Sequence, residues 1–141
     1  MLKTETYLNE IAEEISSIDE EKQKLKFLID ISSDIRLLNP HDYKPEYKVK
    51  GCISDTYIKA IKNPNDTISF LGNSDSLIIK GYLSILTNAF IEINTDEFLQ
   101  NSKKQINSFL KKSQIHLNLT PSRANSFGAT YNHMIKLASE I

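Results

Sequence analysis

Residues 56–71 read Thr56-Tyr57-Ile58-Lys59-Ala60-Ile61-Lys62-Asn63-Pro64-Asn65-Asp66-Thr67-Ile68-Ser69-Phe70-Leu71. Two short runs rich in β-branched and aromatic residues flank Asn63-Pro64-Asn65-Asp66, a cluster whose side chains and fixed proline φ favour a turn. The pattern predicts one strand from Thr56 to Lys62 and another from Thr67 to Leu71. Toward the N-terminus, Tyr47, Val49 and Ile53 are apolar at odd positions, while Lys48, Lys50 and Ser54 are polar at even ones. That is the period of a half-buried strand. Three successive strands with short links predict an antiparallel meander.

Helical periods surround this block. Leu8, Ile11, Ala12, Ile15 and Ile18 share one stripe, with Thr4 as a cap. Ser17-Ile18-Asp19-Glu20 reads as a capping box opening a second helix, with Leu25, Leu28, Ile29, Ile35 and Leu38 inward and Asn39-Pro40 at its end. After Gly72-Asn73-Ser74-Asp75, the segment from Leu77 to Phe90 is apolar nearly all round, which predicts a buried central helix. Thr95-Asp96-Glu97 opens another helix, with Phe98, Ile106, Phe109 and Leu110 inward. Thr120-Pro121 gives a cap followed by proline at the first helical position, and the last helix buries Ala124, Phe127, Tyr131, Met134, Ile135 and Ala138. The order ααβββααα implies an α+β fold, a three-stranded antiparallel sheet packed against helices, in a single domain spanning residues 1–141.

The bulk properties agree with that class. The chain has 141 residues, 40% hydrophobic and 25% charged, an ordinary globular balance. At 16.1 kDa the folded surface is expected near roughly 7,400 Å², about a third of the unfolded value, so a sizeable core forms without staples. Seventeen basic and 18 acidic residues leave a net charge of −1, which argues against a nucleic-acid partner. No apolar run approaches the ~18 residues of a membrane span. The acidic, periodic start is neither a secretory signal nor a transit peptide. The single cysteine excludes an internal disulfide and a multi-thiolate metal site, and suits a reducing, cytoplasmic compartment.

Cys52 is the one candidate nucleophile. On the strand alternation it shares parity with Lys48, Lys50 and Ser54, away from the core side of Tyr47 and Val49, and it follows the turn-permitting Gly51. A thiol at a turn tip beside two lysines ionises more easily than a core cysteine. The bland alternative is an inert small hydrophobe. His41, His116 and His133 stand at no recognisable catalytic or metal spacing to Cys52. Asp75 sits where a helix begins, a position the helix dipole favours for a carboxylate. Arg123 is one of only two arginines against 15 lysines, and it lies in a first turn, where a cation opposes the dipole. Such a position suggests a carboxylate partner, internal or on another protein. The Lys103-Lys104 and Lys111-Lys112 pairs read as a solvated helix face.

Three stretches in order resemble the SufE family of sulfur-acceptor (cysteine desulfuration) proteins. They are Val49-Lys50-Gly51-Cys52-Ile53-Ser54, Phe70 to Gly81 (Phe-Leu-Gly-Asn-Ser-Asp-Ser-Leu-Ile-Ile-Lys-Gly), and Leu119-Thr120-Pro121-Ser122-Arg123. The resemblance runs from about Lys48 to the end, and the N-terminal helix pair fits the family's architecture. It implies a fold related to NifU-like scaffold domains. It also implies that Cys52 accepts persulfide sulfur from a cysteine desulfurase, stimulates that enzyme, and passes the sulfur to an iron–sulfur cluster scaffold. The pyridoxal phosphate belongs to the desulfurase; no cofactor of this chain is implied. Asp75 and Arg123 match the family's S-D and T-P-S-R signatures and are candidates for supporting the acceptor loop or docking the desulfurase. The family usually has tryptophan where this chain has Tyr57, and the chain has none. Asp55 adds a negative charge near the thiol.

The implied step is thiol–persulfide exchange. An acceptor must reach into a partner yet be shielded from oxidation when idle. The Cys52 loop is therefore expected to lie partly tucked against the core of a monomer and to swing out on docking. Two alternatives are a single-cysteine thiol redox enzyme, which needs an external resolving thiol, and an interaction module with an inert Cys52.

Overall fold

The structure is a computed structural model and describes residues 2–141. Strands β1 (Thr56–Asn63) and β2 (Thr67–Ser74) pair antiparallel, from Thr56 opposite Ser74 to Asn63 opposite Thr67. The turn between them places Asn65 and Asp66 at φ 65° and 58°, left-handed values that these two residue types tolerate. The two predicted strands and their turn are thus found, with β2 three residues longer. The third strand of the antiparallel sheet, β3 (Ile93–Asn94), pairs with the start of β2, and the sheet order is β1-β2-β3. Thr95 anchors this edge, its N–H and Oγ1 both donating to the Asp66 carbonyl at 3.0 and 3.1 Å.

Five helices complete the α+β fold: α1 (Leu2–Ser16), α2 (Glu21–Ile31), α3 (Leu77–Ala89), α4 (Thr95–Ser113) and α5 (Pro121–Ser139). Short 3-10 turns occupy Ser32–Asp34, Pro40–Asp42, Pro45–Tyr47 and Ile115–Asn118. Helix α3 packs on β2 and α5 on β1, while α2 and α1 cover α3 and α1 also lies on α4. Central α3 is buried along nearly its whole length, as a sequence apolar nearly all round requires. Phe98 joins Phe70 and Phe90, each with ring centroids 5.0 Å from its own, and Tyr82 stacks on Phe127 at 3.7 Å. One contiguous cluster links residues of all five helices, β1, β2 and β3. The accessible surface is 7730 Å², close to the scaling expectation.

Several local expectations are corrected. The segment 47–54 is not a strand, so the chain order is ααββαβαα rather than ααβββααα. Pro45 lacks an N–H and starts a 3-10 turn. Lys48 then makes a single bridge to Tyr57, the Val49 N–H donates to the Thr56 carbonyl at 2.8 Å, and Gly51 at φ 85° turns the chain away. The alternation holds in burial only from Lys48 to Lys50, with Val49 buried between two exposed lysines; past the Gly51 turn it fails, and Ile53, expected on the inward side, is exposed while Cys52 is half-buried. The third strand is two residues long, too short to leave a period. Helix α2 stops at Ile31 because Ser32 and Ser33 fold their hydroxyls onto the Ile29 and Asp30 carbonyls, competing with propagation. Ile35 to Leu38 run on non-helical beside Gly72, and Ile29 is exposed. The N-cap of α2 is Glu20, whose side chain makes no capping bond. Thr4 lies inside α1, where its Oγ1 donates to the Ala89 carbonyl at 2.7 Å and ties α1 to the end of α3.

Among the glycines the tightest approach is backbone on backbone, where α3 crosses α2 at Gly81. A Cβ there would overlap the Leu28 carbonyl, which no rotamer change can relieve. Gly81→Ala is expected to destabilise the protein by about 3 kcal/mol through forced separation of the two helices, read as a lower denaturant midpoint.

Candidate functional site

Gly51, Cys52, Ile53, Ser54 and Asp55 form the loop that leads into β1, and the end of β2 holds it. The Asp55 N–H donates to Asp75 Oδ1 at 3.1 Å, and the Asp75 N–H donates to the Asp55 carbonyl at 3.1 Å. This reciprocal clasp closes the loop from both sides. Asp75 precedes the helix; the cap of α3 is Ser76, whose Oγ accepts from the Ile79 N–H at 3.4 Å. The carboxylate thus supports the Cys52 loop rather than a first helical turn. Lys48 reaches Asp55 at 3.3 Å, an exposed pair that contributes little to stability but neutralises one lysine beside the thiol.

Cys52 itself is half-buried and packs against the core. The parity argument, which turned it away from the core, fails with the strand on which it rested. Its Sγ lies 3.3 Å from Thr56 Oγ1, Thr56 Oγ1 lies 2.8 Å from Ser74 Oγ, and Ser74 Oγ accepts from the Ser76 N–H at 3.2 Å. Thr56 is fully buried. Ile53, next to the thiol, is 71% exposed, and Leu77, two residues beyond the clasp, is 51% exposed. Tyr57, in the aromatic slot, meets the Tyr43 ring edge-on at 5.2 Å, and the Tyr43 hydroxyl accepts from Asn73 Nδ2 at 2.7 Å.

Arg123 stands in the first turn of α5, its N–H capped by Thr120 Oγ1 at 3.4 Å. Among the described residues it makes no ion pair, so the internal carboxylate partner is not found. The next turns of α5 wall a groove of about 620 Å³ whose other side is Pro45 to Gly51. The Cys52 loop meets α5 at Ala129, six residues along the helix from Arg123, where Gly51 approaches closely enough that a Cβ would touch the Ala129 side chain. His133 lines this groove; burial lowers its pKa from the ordinary 6.5, Lys136 lowers it further, and the backbone of Ile58 and Tyr47 pulls the other way. The hydrogen bond of Sγ goes to Thr56 and not to a histidine. Among the described residues, no three His, Cys, Asp or Glu side chains lie together as metal ligands. Thr56, Ser74 and Ile53 were missed as site residues by sequence reasoning. Ile53 and Ser74 lie within the motif stretches and Thr56 lies two residues beyond one, but which hydroxyls meet depends on the strand register.

Asp75→Ala removes one half of the clasp, whereas Asp75→Asn keeps an acceptor. The alanine variant is expected to lose about 1 kcal/mol of loop protection. The Asp55 amide should then exchange severalfold faster, with the asparagine variant near wild type and the α3 amides unchanged in both.

The chain superimposes on the solution structure of a hypothetical protein from Thermus thermophilus with a TM-score of 0.69, covering 95% of this chain and 94% of that one at 11% identity. That likeness shows the fold. No helix among the described residues is long and apolar enough to cross a membrane. The family model of the SufE Fe-S metabolism associated domain matches residues 9–138, taking in the second half of α1 and all of α2 as well as all three motif stretches. The chain belongs to the SufE family, whose domain is associated with iron–sulfur metabolism.

Proposed function

We propose that this protein is a sulfur acceptor and relay for iron–sulfur cluster assembly. Cys52 takes sulfane sulfur from the persulfide of a pyridoxal-phosphate cysteine desulfurase, stimulates that enzyme by clearing its product, and delivers the sulfur to a cluster scaffold. The protein works as a monomer that pairs transiently, in a reducing cytoplasm. The observation that carries this reading is the state of Cys52: half-buried, on a short loop, and held by a few polar contacts rather than by large apolar burial. Such a loop shields the thiol at rest and opens at small cost. Ile53, next to the thiol in the chain, and Leu77, at the start of α3, are exposed apolar side chains that a partner can cover, and Arg123 supplies a cation that no described carboxylate pairs.

The chemistry is an exchange without net oxidation. The Cys52 thiolate attacks the terminal sulfur of the partner's persulfide. A bond forms between that sulfur and Sγ, the old S–S bond breaks, and the partner cysteine leaves as a thiolate. Asp75 and Thr56 define where the loop rests; docking replaces their contacts with those of the partner.

After incubation with a cysteine desulfurase and cysteine, the wild-type chain is expected to gain the mass of one sulfur. Cys52→Ser is expected to gain none and to lose desulfurase stimulation, with an unchanged melting temperature; a serine variant that still gains sulfur overturns the reading. Arg123→Ala is expected to weaken desulfurase binding by about tenfold, the scale of one charge-assisted hydrogen bond, while melting as wild type does.

A further inference from the structure

Thr56 and Ser74 face each other across the last rung of the β1–β2 ladder, and the register alone sets their hydroxyls 2.8 Å apart. Thr56 is 0% exposed and Ser74 7%, so water does not compete for either group. The chain of contacts takes its direction from the sulfur. Ser74 Oγ accepts from the Ser76 N–H, at the residue that caps α3, and keeps its own proton free to donate. A sulfur anion 3.3 Å from Thr56 Oγ1 aims the Thr56 proton at the sulfur, and Thr56 Oγ1 then accepts from Ser74. While Cys52 is a thiol, the Sγ–Thr56 contact can run either way, since S–H also donates. Once the sulfur is an anion it can only accept, and every hydroxyl in the chain points toward it. Hydrogen bonds to a charged partner are also the stronger kind.

We propose that Thr56 and Ser74 form a buried hydroxyl relay, fed by the Ser76 N–H, that donates to the Cys52 sulfur whenever it is a thiolate, and that both are positioning residues for sulfur exchange. The inference rests on the sulfur-acceptor reading for its purpose. The geometry matters at two moments. Before acceptance, the Cys52 proton leaves to solvent and the relay stabilises the thiolate that will attack. On delivery, an acceptor thiolate attacks the outer sulfur of the Cys52 persulfide, the outer S–Sγ bond breaks, and the electron pair returns to Sγ. As the loop settles back, that charge meets the Thr56 hydroxyl. Thr56 is β-branched and stiff about χ1, so the donor is aimed in advance. Ser74 lies in the second of the three motif stretches; Thr56 lies in none of them.

The test needs no partner. The thiolate fraction of Cys52 is read at pH 8 by absorbance near 240 nm, with Cys52→Ser as the blank. Thr56→Val keeps the shape and removes the hydroxyl; Thr56→Ser keeps the hydroxyl and removes a methyl. The relay predicts a thiolate fraction at least threefold lower in Thr56→Val and close to wild type in Thr56→Ser. A packing role predicts the reverse order. Ser74→Ala should also lower the fraction, and adding it to Thr56→Val should lower it no further, as expected for groups in series. Thr56→Val at the wild-type level, or Thr56→Ser falling with it, overturns the proposal. If Thr56→Val does not fold by thermal melting, Ser74→Ala decides: an unchanged fraction overturns the relay. Sulfur acceptance by wild type and Cys52→Ser is scored separately by mass. A failed relay therefore leaves the acceptor reading standing, and a failed acceptor reading leaves the hydroxyl chemistry measurable.

Discussion

The rung that pairs Thr56 with Ser74 is the constraint on which the rest of this molecule depends. It is where β1 begins and β2 ends, so it fixes the starting point of the Cys52 loop and the entry to α3 at once. One residue of slip between the strands would put the two hydroxyls on opposite faces of the sheet and shift Asp75 out of register with Asp55. The register is held from the far end of the hairpin by Asn65 and Asp66 in left-handed conformations, and from the interior by Ile58, Ile68 and Phe70, all fully buried. The site is therefore a consequence of a well-determined ladder and not of the loop's own preferences.

The scaffold behind it is rigid where the loop is not. Helix α3 is apolar nearly all round and is clasped by α2, β2 and α5. Its Gly81 lets α2 come into backbone contact, and Thr4 ties α1 to its last turn. The loop residues Gly51, Ile53 and Asp55 are exposed and retained by a handful of hydrogen bonds and one solvated ion pair. Local opening free energy follows buried apolar contact, so the loop belongs to the labile end of the structure and α3 to the stable end. That contrast suits the proposed sulfur-carrier role: a fixed body, and a short arm that can leave it.

The loop also shows how charge is handled around a reactive thiol. Lys48, which the sequence sets near Cys52, is engaged by Asp55, and Asp55 is in turn held through its backbone by Asp75. The fixed polar group that touches the sulfur is a neutral, buried hydroxyl. Removal from solvent makes that one donor count for more than an exposed ammonium, which salt and water screen.

The α+β class, the β1–β2 hairpin, and the starts of α4 and α5 were legible in the sequence. Each is encoded by neighbours within a few residues: turn-forming Asn and Asp, a Thr-Pro cap, a helical run apolar nearly all round. The motif residues Cys52, Asp75 and Arg123 were legible as candidates too, but their surroundings were not. The segment 47–54 alternates like a strand yet is a loop, because one-sided burial from Lys48 to Lys50 needs no ladder and the Gly51 turn breaks the period beyond it. The two-residue β3 has no period to read. Asp75 meeting Asp55 twenty residues away, Thr56 meeting Ser74 across the ladder, and Cys52 resting half-buried beside them are decided by long-range pairing. Sequence alone determined which residues could do chemistry; only the tertiary structure decided which of them touch, since contact across strands depends on register and packing that no local window contains.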